Sequence, residues 1–351
     1  METTRSPDFT GYPWWDASVF SNCIYNHTVP WPADGNYTDP SPTLQQYIHT
    51  CKMGSTGTDV KTPYTGLLGQ DFTEMVKKSI GPKANPRLRR VMESFIQHMH
   101  DFAREISLTN DEWMMAVNMI NEGGRMSDAK RNEGQLMCDV IGLESLVDDI
   151  TSRAAAKAGE SITSSAILGP FWRHDTPIRE NGSTITFDTP ADAQVVYMHG
   201  KVFCGSTGKP LANASVEAWQ ASTNGLYEQQ DPRQREHNLR GKFITDSEGN
   251  YSFYCIRPTP YPVPDDGPAG KLLAMLDRHP WRPAHIHLIV QAEGCSPITT
   301  QIFDSDCKYL DNDSVFAVKD SLRVVFQPRK GDPKAKLDLE YNVSLAPESR
   351  S

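Results

Sequence analysis

The hydrophobic pattern changes its period once along the chain. Between Asn85 and Arg153 apolar residues recur at steps of three and four, and from Ala193 onward they recur at steps of two or in short runs. The first pattern predicts helices and the second predicts strands. Leu88, Met92, Phe95, Met99, Phe102 and Ile106 make one apolar helix face. Asn85-Pro86 marks its start, since proline is tolerated in a first turn. Thr109-Asn110-Asp111-Glu112 reads as a capping box that opens a second helix, with Met115 and Ile120 on its apolar side and Gly123-Gly124 at its end. A third helix is predicted over 127–153, with Leu136, Val140, Leu143, Leu146, Val147 and Ile150 turned inward. These stripes read as core, with part of the helical surface left for dimerisation.

The strand-like segments are 195–203, 214–219, 241–245, 249–256, 285–292, 298–303, 322–326 and 337–343. Turn signals separate them: Ser206-Thr207-Gly208, Asn224-Gly225, Asp246-Ser247-Glu248-Gly249 and Lys330-Gly331-Asp332-Pro333. Many short strands with such turns predict an antiparallel β-sandwich, and the lack of alternating helices argues against a parallel α/β sheet. The chain therefore reads as mainly β with a helical N-terminal part. The expected divisions are an arm over 1–84, a helical domain over 85–155, a connector over 156–195 and a sandwich over 196–346. The arm is rich in Pro, Gly and Thr and carries Trp14, Trp15 and Trp31, which favours an arm packed on the body or on a second subunit over free disorder.

Composition adds bounds. The chain has 351 residues, 38% hydrophobic and 23% charged, with a formal net charge of −9, which suits an ordinary globular protein. No long Lys/Arg run offers a footprint for nucleic acid, and no apolar run approaches the ~20 residues of a membrane helix. Met1 to Ser6 lack the apolar core of a secretory signal. The seven cysteines are odd in number and form no Cys-x-x-Cys, which argues against a disulfide framework or a thiolate zinc site and favours a reduced, cytoplasmic setting. Sequons such as Asn26-His27-Thr28 read as chance matches in that setting.

The candidate chemistry centres on Arg282-Pro283-Ala284-His285-Ile286-His287. On a strand, residues two apart share a face, so both imidazoles converge from one side. Such a pair alone is a weak signal that reads more readily as a surface or core pair than as metal ligands, and its context decides. Tyr261 is held between Pro260 and Pro262, and Tyr227 follows the turn at Asn224-Gly225. By itself Tyr227 also reads as a turn-flanking aromatic. Nucleotide-binding, zincin and nucleophile-elbow signatures are absent.

These stretches together resemble the intradiol ring-cleavage dioxygenases, the catechol and hydroxyquinol 1,2-dioxygenases. The resemblance rests on Asn224-Gly225-Leu226-Tyr227, Asn238-Leu239-Arg240-Gly241, 261–268, Arg282 to His287, Thr299-Thr300-Gln301-Ile302-Phe303 and Val315-Phe316-Ala317-Val318-Lys319. It spans roughly 85–345 and excludes the long N-terminal segment, whose role it leaves open.

The resemblance implies one Fe(III) per chain on Tyr227, Tyr261, His285 and His287, with Arg282 and Gln301 beside the substrate and Tyr261 taking a substrate proton. Two phenolates and two imidazoles suit ferric iron by hardness, and binding must release the phenolic protons. The implied reaction cuts the ring of an aromatic ortho-diol with O2, without nicotinamide or flavin. Ile167, Leu168, Gly169, Pro170 and Phe171 resemble the pocket loop of the hydroxyquinol enzymes, as does the helix around Leu146 and Asp149. Asp149 reads either as a solvated helix-end charge or as an acceptor for a third ring hydroxyl. Val263, Pro264 and Val315 complete the expected pocket. Benzene-1,2,4-triol giving maleylacetate is the first expectation, and catechol giving cis,cis-muconate the second. A homodimer through the helices is implied by the same analogy. Two rivals are a non-catalytic sandwich with a relict metal site and a zinc hydrolase, for which the tyrosine-rich set fits poorly.

Overall fold

The computed structural model describes residues 69–128, 131–155 and 162–348. Trp14, Trp15 and Trp31 of the expected arm lie outside them. The unit that ends at Asn85 contributes helix α1, Gln70–Lys78, with Asp71 in its first turn and Lys77 and Lys78 in its last, as the helix dipole favours.

The unit that begins at Pro86 opens with α2, Pro86–Glu105, and α3, Asn110–Met126. The capping box forms: Glu112 N–H donates to Thr109 Oγ1 at 3.3 Å, and Thr109 N–H donates to the Glu112 carboxylate at 2.9 Å. The expected third helix is two helices, α4 at Glu133–Val140 and α5 at Leu143–Ala155. Gly142 breaks it with a φ of +75°, a left-handed turn that glycine adopts without a Cβ clash. The break also turns the stripe. Leu136 and Val140 are buried, whereas Leu143, Leu146, Val147 and Ile150 are exposed. The α2 stripe of Leu88, Met92, Phe95, Met99, Phe102 and Ile106 is likewise exposed rather than core.

The strands follow. They are β1 (Ser183–Thr184), β2 (Val195–Cys204), β3 (Ser215–Trp219), β4 (Arg240–Ile244) and β5 (Asn250–Ile256). Next come β6 (Tyr261–Pro262), helix α6 (Pro268–Met275), β7 (Trp281–Arg282), β8 (His285–Gln291) and β9 (Ile298–Asp304). The chain ends with β10 (Arg323–Val324), β11 (Gln327–Pro328), β12 (Leu337–Glu340) and β13 (Val343–Leu345). One sheet runs β1-β5-β2-β12-β11 with β13 also on β2, and the other runs β10-β9-β8-β3-β4. The ladders β2–β5, β3–β4, β3–β8 and β8–β9 are antiparallel, while β12 and β13 join β2 in parallel. β1 lies inside the segment expected as connector and pairs β5.

The two sheets close on one core. Val196, Met198, Phe253 and Cys255 from one meet Val216, Phe243, Ile286, Leu288, Val290 and Ile302 from the other. Strand β8 thus has two buried faces. Ile286, Leu288 and Val290 point into the sandwich, so the pleat sends His285 and His287 to the opposite side.

Candidate active site

Four side chains meet on that side of β8. Tyr227 Oη lies 3.1 Å from His287 Nε2 and 3.2 Å from Tyr261 Oη. Tyr261 Oη lies 3.4 Å from His285 Nε2, which lies 3.1 Å from His287 Nε2. All four residues are buried. Donor atoms about 2 Å from a shared ion stand apart by such distances, so the ring fits one metal. The set is hard, with phenols and imidazoles and no thiolate.

Local chain chemistry places each donor. The tight turn before Tyr227 needs Gly225, whose φ is +79° and whose Cβ would come within 2.9 Å of Tyr261 Cβ. Tyr227 stacks on Phe171, ring centres 4.6 Å apart. Tyr261 pairs with Arg282 across β6 and β7. His285 Nδ1 donates to Pro283 O at 2.7 Å, which leaves Nε2 with its lone pair toward the centre. Burial lowers the pKa of both histidines, with Arg282 adding to the effect at His285, so both are neutral, as ligation requires. Burial raises both tyrosines, and Tyr261 adds to the effect at Tyr227, so the phenols keep their protons until a cation displaces them.

Beside the donors, Arg282 is buried. Its Nη1 lies 3.1 Å from His285 Nε2, and its Nη2 donates to Gln301 Oε1 at 2.7 Å. Gln301 Nε2 donates to Ile167 O at 2.7 Å, so both ends of this amide are engaged within the protein. Asp313 receives the remaining face of the guanidinium.

A narrow cleft opens on the site, lined by Leu136, Asp139, Ile167, Gly169, Pro170, Phe171, Tyr261, Val263, Pro264, Arg282 and Val315. The loop forming one wall is held at several points. Ala166 N–H donates to Thr299 O at 3.0 Å, Leu168 N–H to Glu144 Oε1 at 3.1 Å, and Trp172 Nε1 to Glu217 Oε1 at 2.9 Å. Leu146 and Asp149 lie elsewhere: Leu146 is exposed, and Asp149 pairs with Arg153 and Lys319. They belong to α5, beyond the break at Gly142. The helical residues that reach the cleft are Leu136 and Asp139 of α4. The signal for Asp139 was present in the sequence, as a charge sitting between Leu136 and Val140 on a buried stripe. Trp219, parallel to the His287 ring, and Asp313 carried no comparable signal.

Among the described residues, one cluster of conventional metal donors lies elsewhere, at Asp175, Glu236 and His237. The Arg173 guanidinium already donates to Asp175 at 2.8 Å and to Glu236 at 3.1 Å, which satisfies their charge.

The two-sheet sandwich thus carries a buried phenol–imidazole cluster, an adjacent guanidinium and a small cleft, a donor set suited to one hard metal ion. Comparison with known proteins agrees with this. The chain matches the catechol dioxygenase N-terminus family over residues 85–159 and the dioxygenase family over residues 167–347. It is 51% identical over 276 residues to the intradiol ring-cleavage dioxygenase prcA of Aspergillus niger, covering 79% of this chain and 88% of that protein. It is 50% identical to a catechol 1,2-dioxygenase of Candida albicans, covering 80% and 94%, and 40% identical to a hydroxyquinol 1,2-dioxygenase of a Rhizobium species, covering 69% and 80%. The solved structure of hydroxyquinol 1,2-dioxygenase from Pseudomonas putida superposes with a TM-score of 0.71 at 33% identity, covering 79% of this chain and 98% of that one. The chain belongs to the intradiol ring-cleavage dioxygenase family and is an enzyme of that class. The family carries non-haem iron and acts on aromatic diols with O2.

Proposed function

We propose that the enzyme cleaves benzene-1,2,4-triol with O2 to maleylacetate, at one ferric ion per chain held by Tyr227, Tyr261, His285 and His287. The observation that carries the choice of substrate is Asp139. It is 1% exposed, lines the cleft with Arg282, and has an Oδ1 with no hydrogen-bond partner. Burial and a hydrogen bond with Glu144 push its pKa up to about 9. Oδ1, buried and unpartnered at the cleft, is then placed to accept a hydrogen bond from a third ring hydroxyl.

Ferric iron held by these four residues would supply a hard Lewis acid that polarises the diol. The chain does the rest. Tyr261 takes one diol proton at Oη. Arg282 presents Nη1 toward the donor ring, where a permanent positive charge stabilises negative charge that develops on the substrate. Gln301, engaged at both ends, orients Arg282 and ties it to the loop at Ile167. Apolar walls from Ile167, Phe171, Val263, Pro264 and Val315 hold the ring and exclude water. Both oxygen atoms of O2 enter the open-chain product.

Catechol giving cis,cis-muconate is the second reading. Identity to the Candida catechol enzyme, 50%, exceeds the 40% to the Rhizobium hydroxyquinol enzyme. Oxygen uptake by iron-loaded protein ranks the two. We expect kcat/KM for the triol to exceed that for catechol, and the reverse order would overturn the first reading. A visible phenolate-to-iron band that shifts when the substrate is added without oxygen tests the ferric assignment. We further infer a homodimer through the exposed apolar helices and a cytoplasmic location. The inferred dimer is supported by the open α2 stripe, and the location by the free thiols of the described Cys138, Cys204, Cys255, Cys295 and Cys307. No described helix is long and apolar enough to cross a membrane.

A further inference from the structure

We propose that Asp313 is a positioning residue that sets the Arg282 guanidinium and the pocket wall at Val315 with one carboxylate. The proposal rests on the reading of Arg282 as the group that stabilises charge on the substrate.

Each carboxylate oxygen of Asp313 accepts one N–H from Arg282 and one from the loop that follows it. Oδ1 accepts from Arg282 Nε at 3.2 Å and from Val315 N–H at 3.2 Å. Oδ2 accepts from Arg282 Nη2 at 3.2 Å and from Ala317 N–H at 3.0 Å. Both side chains are almost fully buried, at 4% exposure for Arg282 and 2% for Asp313. Water therefore cannot replace either partner cheaply.

On the arginine side, the arrangement accounts for the donors one by one. A guanidinium has five N–H groups in a fixed plane. Nε and one hydrogen of Nη2 go to Asp313, and the other hydrogen of Nη2 goes to Gln301. Only Nη1 remains, and it faces His285 Nε2 and the centre of the donor ring. Asp313 thus chooses which edge of Arg282 meets the substrate. It also keeps its own negative charge on the far edge, with the cation nearer the reacting ring.

On the loop side, the two backbone bonds straddle Phe316. Phe316 has a φ of +59°, a left-handed conformation that strains a side-chain-bearing residue, and its ring is half exposed. The Arg278 guanidinium lies 4.6 Å from its ring centre, and a Cβ on Gly142 would come within 3.2 Å of the ring. This turn sends Phe316 outward and Val315 inward, where Val315 is 1% exposed and lines the cleft. Asparagine fits the site poorly: one end would offer N–H groups to the N–H groups of Arg282 and Ala317.

The test is a double-mutant cycle on the full-length, iron-loaded enzyme, with Asp313→Asn, Arg282→Met and the double variant. Iron content, the visible band, kcat and KM are measured for each. Asp313→Asn should keep its iron and band, lose kcat roughly tenfold or more, and raise KM. In the Arg282→Met background the same change should cost less than about twofold in kcat, because its target is gone. The rise in KM should persist there, because the Val315 wall is still loosened. An equal kcat loss in both backgrounds would overturn the proposal. So would wild-type kcat in Asp313→Asn while Arg282→Met is impaired. Wild-type kcat in Arg282→Met would remove the role of Arg282, and the proposal with it. If Asp313→Asn yields no folded protein, Asp313→Glu keeps the charge, displaces the carboxylate, and is read in the same cycle.

Discussion

The indole of Trp219 and the imidazole of His287 lie 4.6 Å apart between ring centres and within 9° of parallel. The two residues are register partners across β3 and β8. His287 Nδ1 is buried without a hydrogen-bond partner, so packing holds that edge of the ring while Nε2 faces Tyr227 Oη at 3.1 Å. Gly169 lies against it: a Cβ there would stand 3.2 Å from His287 Cε1, and its φ of +72° disfavours any other residue.

Gly169→Ala should therefore displace His287 and weaken metal binding while the distant sandwich stays folded. Loss of a group that orients a ligand costs about 10- to 100-fold in metal affinity. Iron retained per chain after dialysis against a chelator reads the effect, with thermal unfolding as the control for folding. Retention equal to wild type would mean the loop yields and the ring is not clamped.

Tyr227→Phe tests the donor set directly. The substitution keeps the stack on Phe171 and removes only the oxygen 3.1 Å from His287. The visible band should change and turnover should fall by roughly 100-fold or more. An unchanged spectrum would take Tyr227 out of the set.

The sandwich was legible because its signals are local, whereas Tyr227 and Tyr261 were singled out as metal donors only through the family resemblance. A period of two along β8 puts His285 and His287 on one face, and Asn224-Gly225 marks the turn that delivers Tyr227. What was not legible depends on backbone geometry or on distant partners. The single residue Gly142 splits a stripe that looks continuous, which moves the pocket contribution from Leu146 and Asp149 to Leu136 and Asp139. The apolar face of α2 has the pattern of core, and periodicity alone cannot tell a core from a surface that awaits another subunit. Asp313 is remote in sequence from Arg282, and helix α6 follows Gly267-Pro268, a stretch that entered only as part of the family resemblance although proline suits a first helical position.

The open α2 face gives a prediction for assembly. Phe95 and Phe102 are about half exposed on one stripe. Phe95→Glu with Phe102→Glu adds charge to that stripe while keeping good helix formers. Sedimentation velocity should show a dimer for the wild type and a monomer for the variant. A variant that still sediments as a dimer would place the interface elsewhere.

Asp139 makes two separable predictions. If its Oδ1 accepts the third hydroxyl of the triol, Asp139→Leu should reduce the ratio of kcat/KM for triol over catechol. One hydrogen bond in a buried site is worth about 1–3 kcal/mol, so the ratio should fall roughly 10- to 100-fold. Catechol turnover should be little changed, because catechol has no group to reach Asp139. An unchanged ratio would end the argument from Asp139 to the triol. The second prediction needs no substrate. Asp139 binds its proton up to about pH 9 in the folded protein, against an ordinary value of 3.8. The folded state then holds more protons than the unfolded chain between those limits. The stability this group contributes is full below about pH 4 and drains away as pH rises toward 9. Asp139→Asn removes that dependence. The unfolding temperature of the variant relative to wild type should therefore climb steadily from pH 5 to pH 9. A difference that stays flat over this range would mean that Asp139 is ionised in the fold, and that a carboxylate rather than a neutral carboxyl faces the substrate.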